Sequence, residues 1–248
     1  MQIEKRAPTA DDMDKINGYA TREMKSDEVY VFSVVLCDND LDRDFEKFSN
    51  TALDKLAELF IGKTMLSDHD TKSENQTARI FSTSVESVDG QFTRLSEPYK
   101  RVIASAYLTP TDSNKDFITE IEAGIKKEVS VGCAVSNSVC SICGKNRSCN
   151  HMRGKEYDGK ICYMTLDNPT DAYECSFVAV PAQRAAGVIK HFDPQKAADP
   201  MSAITAEQVS KMIADALEKQ FPPAIPEATP TDKIDWGILL SKFMEVKT

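Results

Sequence analysis

A dense group of potential metal ligands lies in the segment CSICGKNRSCNHMRGKEYDGKIC, which runs from Cys140 to Cys162. Cys140 and Cys143 form a Cys-x2-Cys-Gly turn, which aims two thiolates at one ion. Cys149 follows, and His151 and Cys162 compete for the fourth place of a closed tetrahedral shell. Free buried cysteines are the alternative. The segment therefore predicts a structural zinc site that stabilises a long insertion.

The overall composition narrows the class of protein. The chain has 248 residues, 41% of them hydrophobic, which is enough for one main domain with extensions. A formal net charge of -9 argues against a nucleic-acid partner, because phosphate-binding surfaces need clustered Lys and Arg. No stretch approaches the roughly 18 apolar residues that span a bilayer, and the N-terminus lacks a secretory signal. We expect a cytoplasmic protein without a membrane partner, and the seven cysteines, an odd number, suit a reducing compartment.

Hydrophobic patterning divides the chain into three parts. Residues 1–26 form an N-terminal arm with a short helix, residues 27–192 form the main domain with the Cys/His insertion at 137–165, and residues 193–248 form a helical, proline-linked extension. In the main domain, strand-like segments outnumber helical ones, and the helices fall between groups of strands. The pattern predicts an α+β domain built on a mostly antiparallel sheet or barrel that is flanked by helices.

Only three histidines are available as the base that a serine nucleophile needs near neutral pH. His151 lies in the predicted metal segment and His191 at the edge of the extension, which leaves His69 in LSDHD. A solvated surface histidine is the alternative. Among the serines, Ser130 stands between valines in KKEVSVGCAV, and Gly132 permits close approach of a substrate backbone. Its alternative is a strand serine hydrogen-bonded to its neighbours.

Glu174 is an acidic residue inside the apolar segment AYECSFVAVP. The alternation of a strand puts it on the same face as Ser176 and Val178. A buried carboxylate needs a partner, and an imidazolium is a suitable one. The alternative is a residue of an edge strand that faces water. From the residues alone, Glu174 is a candidate partner for a histidine.

The segments LSDHD, GIKKEVSVGCAV and AYECSFVAVPAQRAAGV together resemble the hallmark segments of the tailed-phage prohead proteases. These are serine proteases of capsid maturation with a herpesvirus-protease-like fold. The order His, Ser, acidic residue and the spacing of the segments are similar across residues 27–192, and the acid before SFVAVPA is the most specific part. The chain also resembles the subset of such phage proteins that carry a Cys/His insertion between the Ser and Glu strands.

The resemblance implies that His69 is the general base, Ser130 the nucleophile and Glu174 the residue that orients the imidazole. It implies no cofactor for catalysis and an endopeptidase that cuts scaffold or capsid-protein extensions, and sometimes itself, inside the assembling procapsid in the host cytoplasm. The partners would be scaffold and major capsid proteins, with self-association a further expectation. Because the insertion lengthens the segment before Glu174, Asp171 is a substitute for it, and Asp68 or Asp70 could support the histidine locally.

Two other functions compete with the protease. One is a catalytically inactive, zinc-stabilised structural or scaffolding protein of the phage head. The other is a zinc hydrolase, which needs an open coordination position and a nearby acid or base. The ligand spacing between Cys140 and Cys162 does not require an open position. Chelation separates these cases, because loss of a structural zinc unfolds the domain.

Overall fold

The structure, a computed structural model, describes residues 7–189. The helices predicted in the extension at 193–248 lie outside this range. The described part contains three α-helices: α1 (Ala10–Asn17), α2 (Asn50–Phe60) and α3 (Lys115–Glu122). Its strands are β1 (Tyr30–Asp38), β2 (Glu46–Phe48), β3 (Thr64–Ser67), β4 (Ala78–Phe92), β5 (Pro98–Leu108), β6 (Val129–Cys140), β7 (Glu156–Tyr157), β8 (Lys160–Ile161), β9 (Met164–Phe177) and β10 (Gly187–Val188).

Local signals in the sequence explain where two of the helices begin. Thr9 and Asp12 form a reciprocal capping box at the start of α1. The Ser49 hydroxyl accepts a hydrogen bond from the backbone N–H of Ala52 at the start of α2. The buried residues of α2 recur at helical spacing and define one face: Ala52, Leu53, Leu56, Ala57 and Phe60. This face packs on the sheet through β4, β5 and β9.

Eight of the strands form one mixed sheet in the order β10-β1-β5-β4-β3-β9-β2, with β6 paired to β9. The α+β class predicted from the sequence is confirmed. The path does not close, so the barrel alternative is wrong for the described residues. Most pairs are antiparallel, but β3 and β2 run parallel to β9. A single long strand, β9, thus joins the three segments that carry the candidate catalytic residues.

The core lies between the sheet and α2. It includes Leu36 of β1, Met65 of β3, Val129 of β6 and Cys175 of β9, all fully buried. The first strand is buried along its whole length, which fits its high content of β-branched and aromatic residues. Within residues 7–189, no helix combines the length and apolarity needed to cross a membrane.

The Cys/His insertion sits at the end of the long β6–β9 ladder. The ladder extends to the pair Cys140 and Met164, so the strands reach further into the predicted insertion than the sequence indicated. Between them lies a segment of turns with one small hairpin, β7–β8. The predicted ligands are therefore held on a rigid two-stranded stem.

Candidate active site and metal centre

An irregularity in β9 lies directly beside Glu174, which alternates with the core residues Cys175 and Phe177 and so points away from the core. Gly132 pairs with Glu174 and the next residue, Cys133, pairs with Ala172, so Tyr173 has no partner in the ladder. Such a bulge changes which face a side chain points to, and bulges are common beside active sites. Ala172 and Cys175 belong to the core cluster, whereas Glu174 contacts the loop that follows β3.

His69 lies in that loop, directly after β3, and its backbone is held in an unusual conformation. Asp68 and His69 have φ values of 54° and 55°, in the left-handed region that non-glycine residues rarely occupy. The backbone N–H of Asp68 donates to the Phe177 carbonyl (2.9 Å), and that of His69 donates to Ser176 Oγ (3.1 Å). Non-glycine residues in this region persist where surrounding contacts fix them, and they cluster at functional sites.

The His69 ring meets the candidate acid directly. Its Nδ1 lies 2.8 Å from Glu174 Oε1. The Glu174 side chain is buried, whereas 42% of the His69 side chain is exposed. When a carboxylate accepts from Nδ1–H, the other ring nitrogen, Nε2, is left as the basic one. In that tautomer the partly exposed ring keeps Nε2 free of the carboxylate.

Ser176 connects the loop and the carboxylate. Its hydroxyl is fully buried, donates to Glu174 Oε2 and accepts from the His69 backbone. Strand alternation placed Ser176 on the face of Glu174, and that signal could have identified it as part of the site. Both oxygens of the buried carboxylate therefore have donors, one from His69 and one from Ser176.

Ser130 lies opposite Ser176 in the β6–β9 ladder, and Gly132 lies opposite Glu174. Residues that face each other across antiparallel strands point to the same side of the sheet, so Ser130 shares a face with Glu174. Within the described residues, no hydrogen bond joins Ser130 Oγ to His69. The structure also corrects the role expected for Gly132: the space above it is occupied by the Glu174 carboxylate, not left open for a substrate backbone.

Two of the other carboxylates considered as partners of His69 pair with lysines instead. Asp171 pairs with Lys63 (3.3 Å) and Asp70 pairs with Lys72 (3.1 Å). Glu174 is the acidic residue that contacts the imidazole.

The predicted metal ligands also converge. Cys140, Cys143, Cys149 and His151 offer one ligand atom each, and these atoms lie within 4.8 Å of one another. Cys140 Sγ lies 3.7 Å from His151 Nδ1. Tetrahedral zinc with Zn–S bonds of about 2.3 Å places its ligand atoms about 3.8 Å apart, so the donor set fits the ion. Cys162 Sγ is also 3.8 Å from Cys140 Sγ but is not a member of this group of four.

The surroundings of the sulfurs favour a thiolate at Cys140. Burial raises the pKa of a thiol, but backbone N–H groups of Cys143 and Ile142 donate to Cys140 and lower its pKa to about 6. Burial raises the pKa of Cys162 to about 11. The rings of Tyr157 and His151 pack edge to face with their centroids 4.6 Å apart, and this contact orients the imidazole. The Cys3His group is therefore compatible with zinc.

Comparison of the chain with models of protein families, with curated proteins and with solved structures gave no match.

Proposed function

We propose that this chain is a serine endopeptidase in which Ser130 is the nucleophile, His69 the general base and Glu174 the group that orients His69. The observation that carries the proposal is the 2.8 Å contact between His69 Nδ1 and the buried Glu174 Oε1. A buried carboxylate, an imidazole with one free nitrogen and a strand serine on the same face are the components of a hydrolytic triad.

The mechanism follows from these positions. Ser130 Oγ attacks the carbonyl carbon of a peptide bond while His69 Nε2 takes its proton. His69 then returns the proton to the leaving amine, and a water molecule hydrolyses the acyl-enzyme by the reverse sequence. Glu174 holds the Nδ1–H tautomer and stabilises the imidazolium that forms. Bonds between nucleophile and base tighten when substrate binds, so a Ser130–His69 bond belongs to the substrate complex.

The biological setting of the proposal is maturation of a phage head. The support is the likeness of the His, Ser and Glu segments to prohead proteases, together with a Cys/His insertion between the Ser and Glu strands. The substrates would be scaffold or capsid-protein extensions in the procapsid. Zinc at Cys140, Cys143, Cys149 and His151 would be structural, since three thiolates and an imidazole complete a tetrahedral shell.

A labelling experiment tests the proposal. The full chain is treated with a fluorophosphonate, which reacts with activated serines, and the modified residue is identified by mass spectrometry. We expect one label on Ser130, lost in Ser130→Ala, with peptide hydrolysis reduced by more than about 1,000-fold. Ser138→Ala is the matched control, because Ser138 lies on the same strand and its hydroxyl makes no hydrogen bond within the described residues.

One observation favours a second function, that of an inactive zinc-stabilised structural protein of the phage head. It is the lack of a hydrogen bond between Ser130 and His69 in the described residues. The structural protein predicts no labelling and no Ser130-dependent cleavage of scaffold by folded, zinc-loaded protein. That result would rule out the protease.

A further inference from the structure

A cavity of about 190 Å³ opens beside β6, next to the candidate nucleophile. Its walls combine carboxylate side chains with apolar ones and include Asp42, Asp44, Glu46, Leu36, Phe48 and Ser130. The apolar walls suit the hydrocarbon stem of a long side chain, and the carboxylates suit a cationic tip. The cavity thus has the amphipathic lining that a lysine or arginine side chain needs.

The acidic wall is only partly neutralised by the protein. Asp42 Oδ1 accepts hydrogen bonds from the backbone N–H groups of Asp44 and Glu46, both at 2.8 Å, which fixes the loop. Glu46 forms an ion pair with Arg153 of the insertion. The Asp44 carboxylate has no hydrogen bond or cationic partner within the described residues. Burial raises the pKa of Asp42 and of Glu46, because it disfavours their charged forms. A cation in the cavity would offset this cost of desolvation.

The outer edge of β6 is open at the same place. On its other side β6 pairs with β9. Before the open stretch, Glu128 bridges to Gly187. After it, the Arg147 side chain donates to the carbonyl oxygens of Ser136 (2.6 Å) and Val135 (2.9 Å). Between the Glu128 bridge and the Arg147 contacts, residues 130–133 form no backbone pairing on the outer edge within the described part of the chain.

An open strand edge binds extended polypeptide by adding a strand, and the side chains of that strand point alternately to the two faces of the sheet. One face of β6 carries Ser130. The other carries Val131 and Cys133, which pack toward the core and also line the cavity. A peptide on this edge would therefore pass its backbone beside Ser130 and direct a neighbouring side chain into the acidic cavity.

We propose that the substrate is a polypeptide segment that pairs in extended form with residues 130–133 and places a lysine or arginine side chain in the cavity beside Ser130. The inference rests on the proposed function and adds the class of substrate to it. Asp44 is the principal specificity residue, because it is the carboxylate that has no partner in the described structure.

A cleavage profile tests the specificity. The full chain digests a proteome-derived peptide library, and cut sites that disappear with Ser130→Ala are mapped by mass spectrometry. We expect Lys and Arg to be enriched at one fixed position beside the cut. Peptides with Lys at that position should be cut about 10- to 100-fold faster than norleucine analogues, the range of one charge-assisted hydrogen bond. Asp44→Asn should narrow this ratio, whereas the exposed Asp54→Asn on α2 should leave it unchanged.

The possible failures are distinct. Ser130-dependent cuts without enrichment of basic residues would overturn the specificity and leave the endopeptidase intact. No Ser130-dependent cuts would overturn the endopeptidase, and this inference with it. Strand addition is tested with N-methyl groups along a good peptide: methylation should block cleavage at alternate amides, because every second N–H pairs with the edge. Equal tolerance at all amides would exclude pairing with β6.

Discussion

Gly132 lies directly opposite Glu174 in the β6–β9 ladder, and a Cβ atom at position 132 would overlap Glu174 Oε1. The oxygen concerned is the one that contacts His69 Nδ1. A glycine on β6 is thus what allows the carboxylate to reach the imidazole across the face of the strand. The contact between His69 and Glu174 depends on a missing side chain at position 132 as much as on the two side chains that form it.

Gly132→Ala should therefore inactivate the protein through Glu174. The end of the glutamate side chain can move, so we expect the fold to persist, as measured by far-UV circular dichroism. The His69 contact would be displaced, and a misplacement of roughly 1 Å costs about 100-fold in kcat/KM. In a Glu174→Ala background the added methyl group has nothing to displace. In that background Gly132→Ala should have little further effect on kcat/KM. An equal loss of kcat/KM in both backgrounds would contradict the role of Gly132 in making room for the Glu174 carboxylate.

Ser176→Ala should affect both activity and stability. The change removes the donor to Glu174 Oε2 and the acceptor of the His69 backbone N–H, two contacts at a fully buried position. Leaving buried polar groups unpaired costs about 1–3 kcal/mol in the free energy of unfolding. Under the proposed mechanism we expect kcat to fall while KM changes little, because Ser176 contacts the His69 backbone and the Glu174 carboxylate. A loss of stability with unchanged kcat would reduce Ser176 to a packing role.

Local elements of this fold could be predicted from the sequence, and the pairing of strands could not. The capping box of Thr9 and Asp12 and the apolar spacing of α2 depend on neighbours within a few residues. Whether the sheet closes, and that β3 runs parallel to β9, depends on contacts between distant segments. Strand periodicity carries no information on partner or direction, so the open mixed sheet was not distinguished from a barrel.

The candidate site, too, could be predicted from the sequence only in part. Residue types and the family likeness selected His69 and Glu174, which the fold brings into contact. The sequence did not show what Gly132 makes room for, because that depends on which residue lies across the ladder. Nor did it show the cavity beside Ser130, whose walls come from β1, β2, β6 and β9, from the loop before β2 and from the segment after β9.

Removal of single ligands should identify the zinc shell. We expect one zinc ion per chain by elemental analysis, lost in Cys143→Ser and retained in Cys162→Ser. Cys143 belongs to the group whose ligand atoms lie within 4.8 Å, and Cys162 does not. Cys143 is exposed, so its change to serine removes a candidate ligand without disturbing packing. Zinc lost from Cys162→Ser and kept by His151→Ala would instead assign the fourth place to Cys162.

Chelation should separate structural from hydrolytic zinc. With a closed Cys3His shell, a chelator should lower the melting temperature, and activity should fall only as the fold is lost. Arg147 and Arg153 of the insertion contact β6 and Glu46, so melting of the insertion would also disturb the wall of the cavity. Loss of activity at unchanged melting temperature would favour a catalytic metal.

Asp38 should make stability depend on pH. It is 3% exposed, and burial raises the pKa of its carboxyl to about 6, although Tyr99 and the Asp40 backbone donate to it. Its unfolded pKa is near 3.8, so between about pH 4 and 6 the folded state keeps a proton that the unfolded chain releases. The free energy of unfolding should then fall as pH rises through that window, by about 3 kcal/mol in total from this group. The asparagine in Asp38→Asn carries no charge at any pH. Measured by urea unfolding, the free energy of unfolding of this variant relative to the wild type should therefore increase from pH 4 to 7. The exposed Asp54→Asn is the control, and a pH-independent difference for Asp38→Asn would show that the carboxyl is ionised throughout.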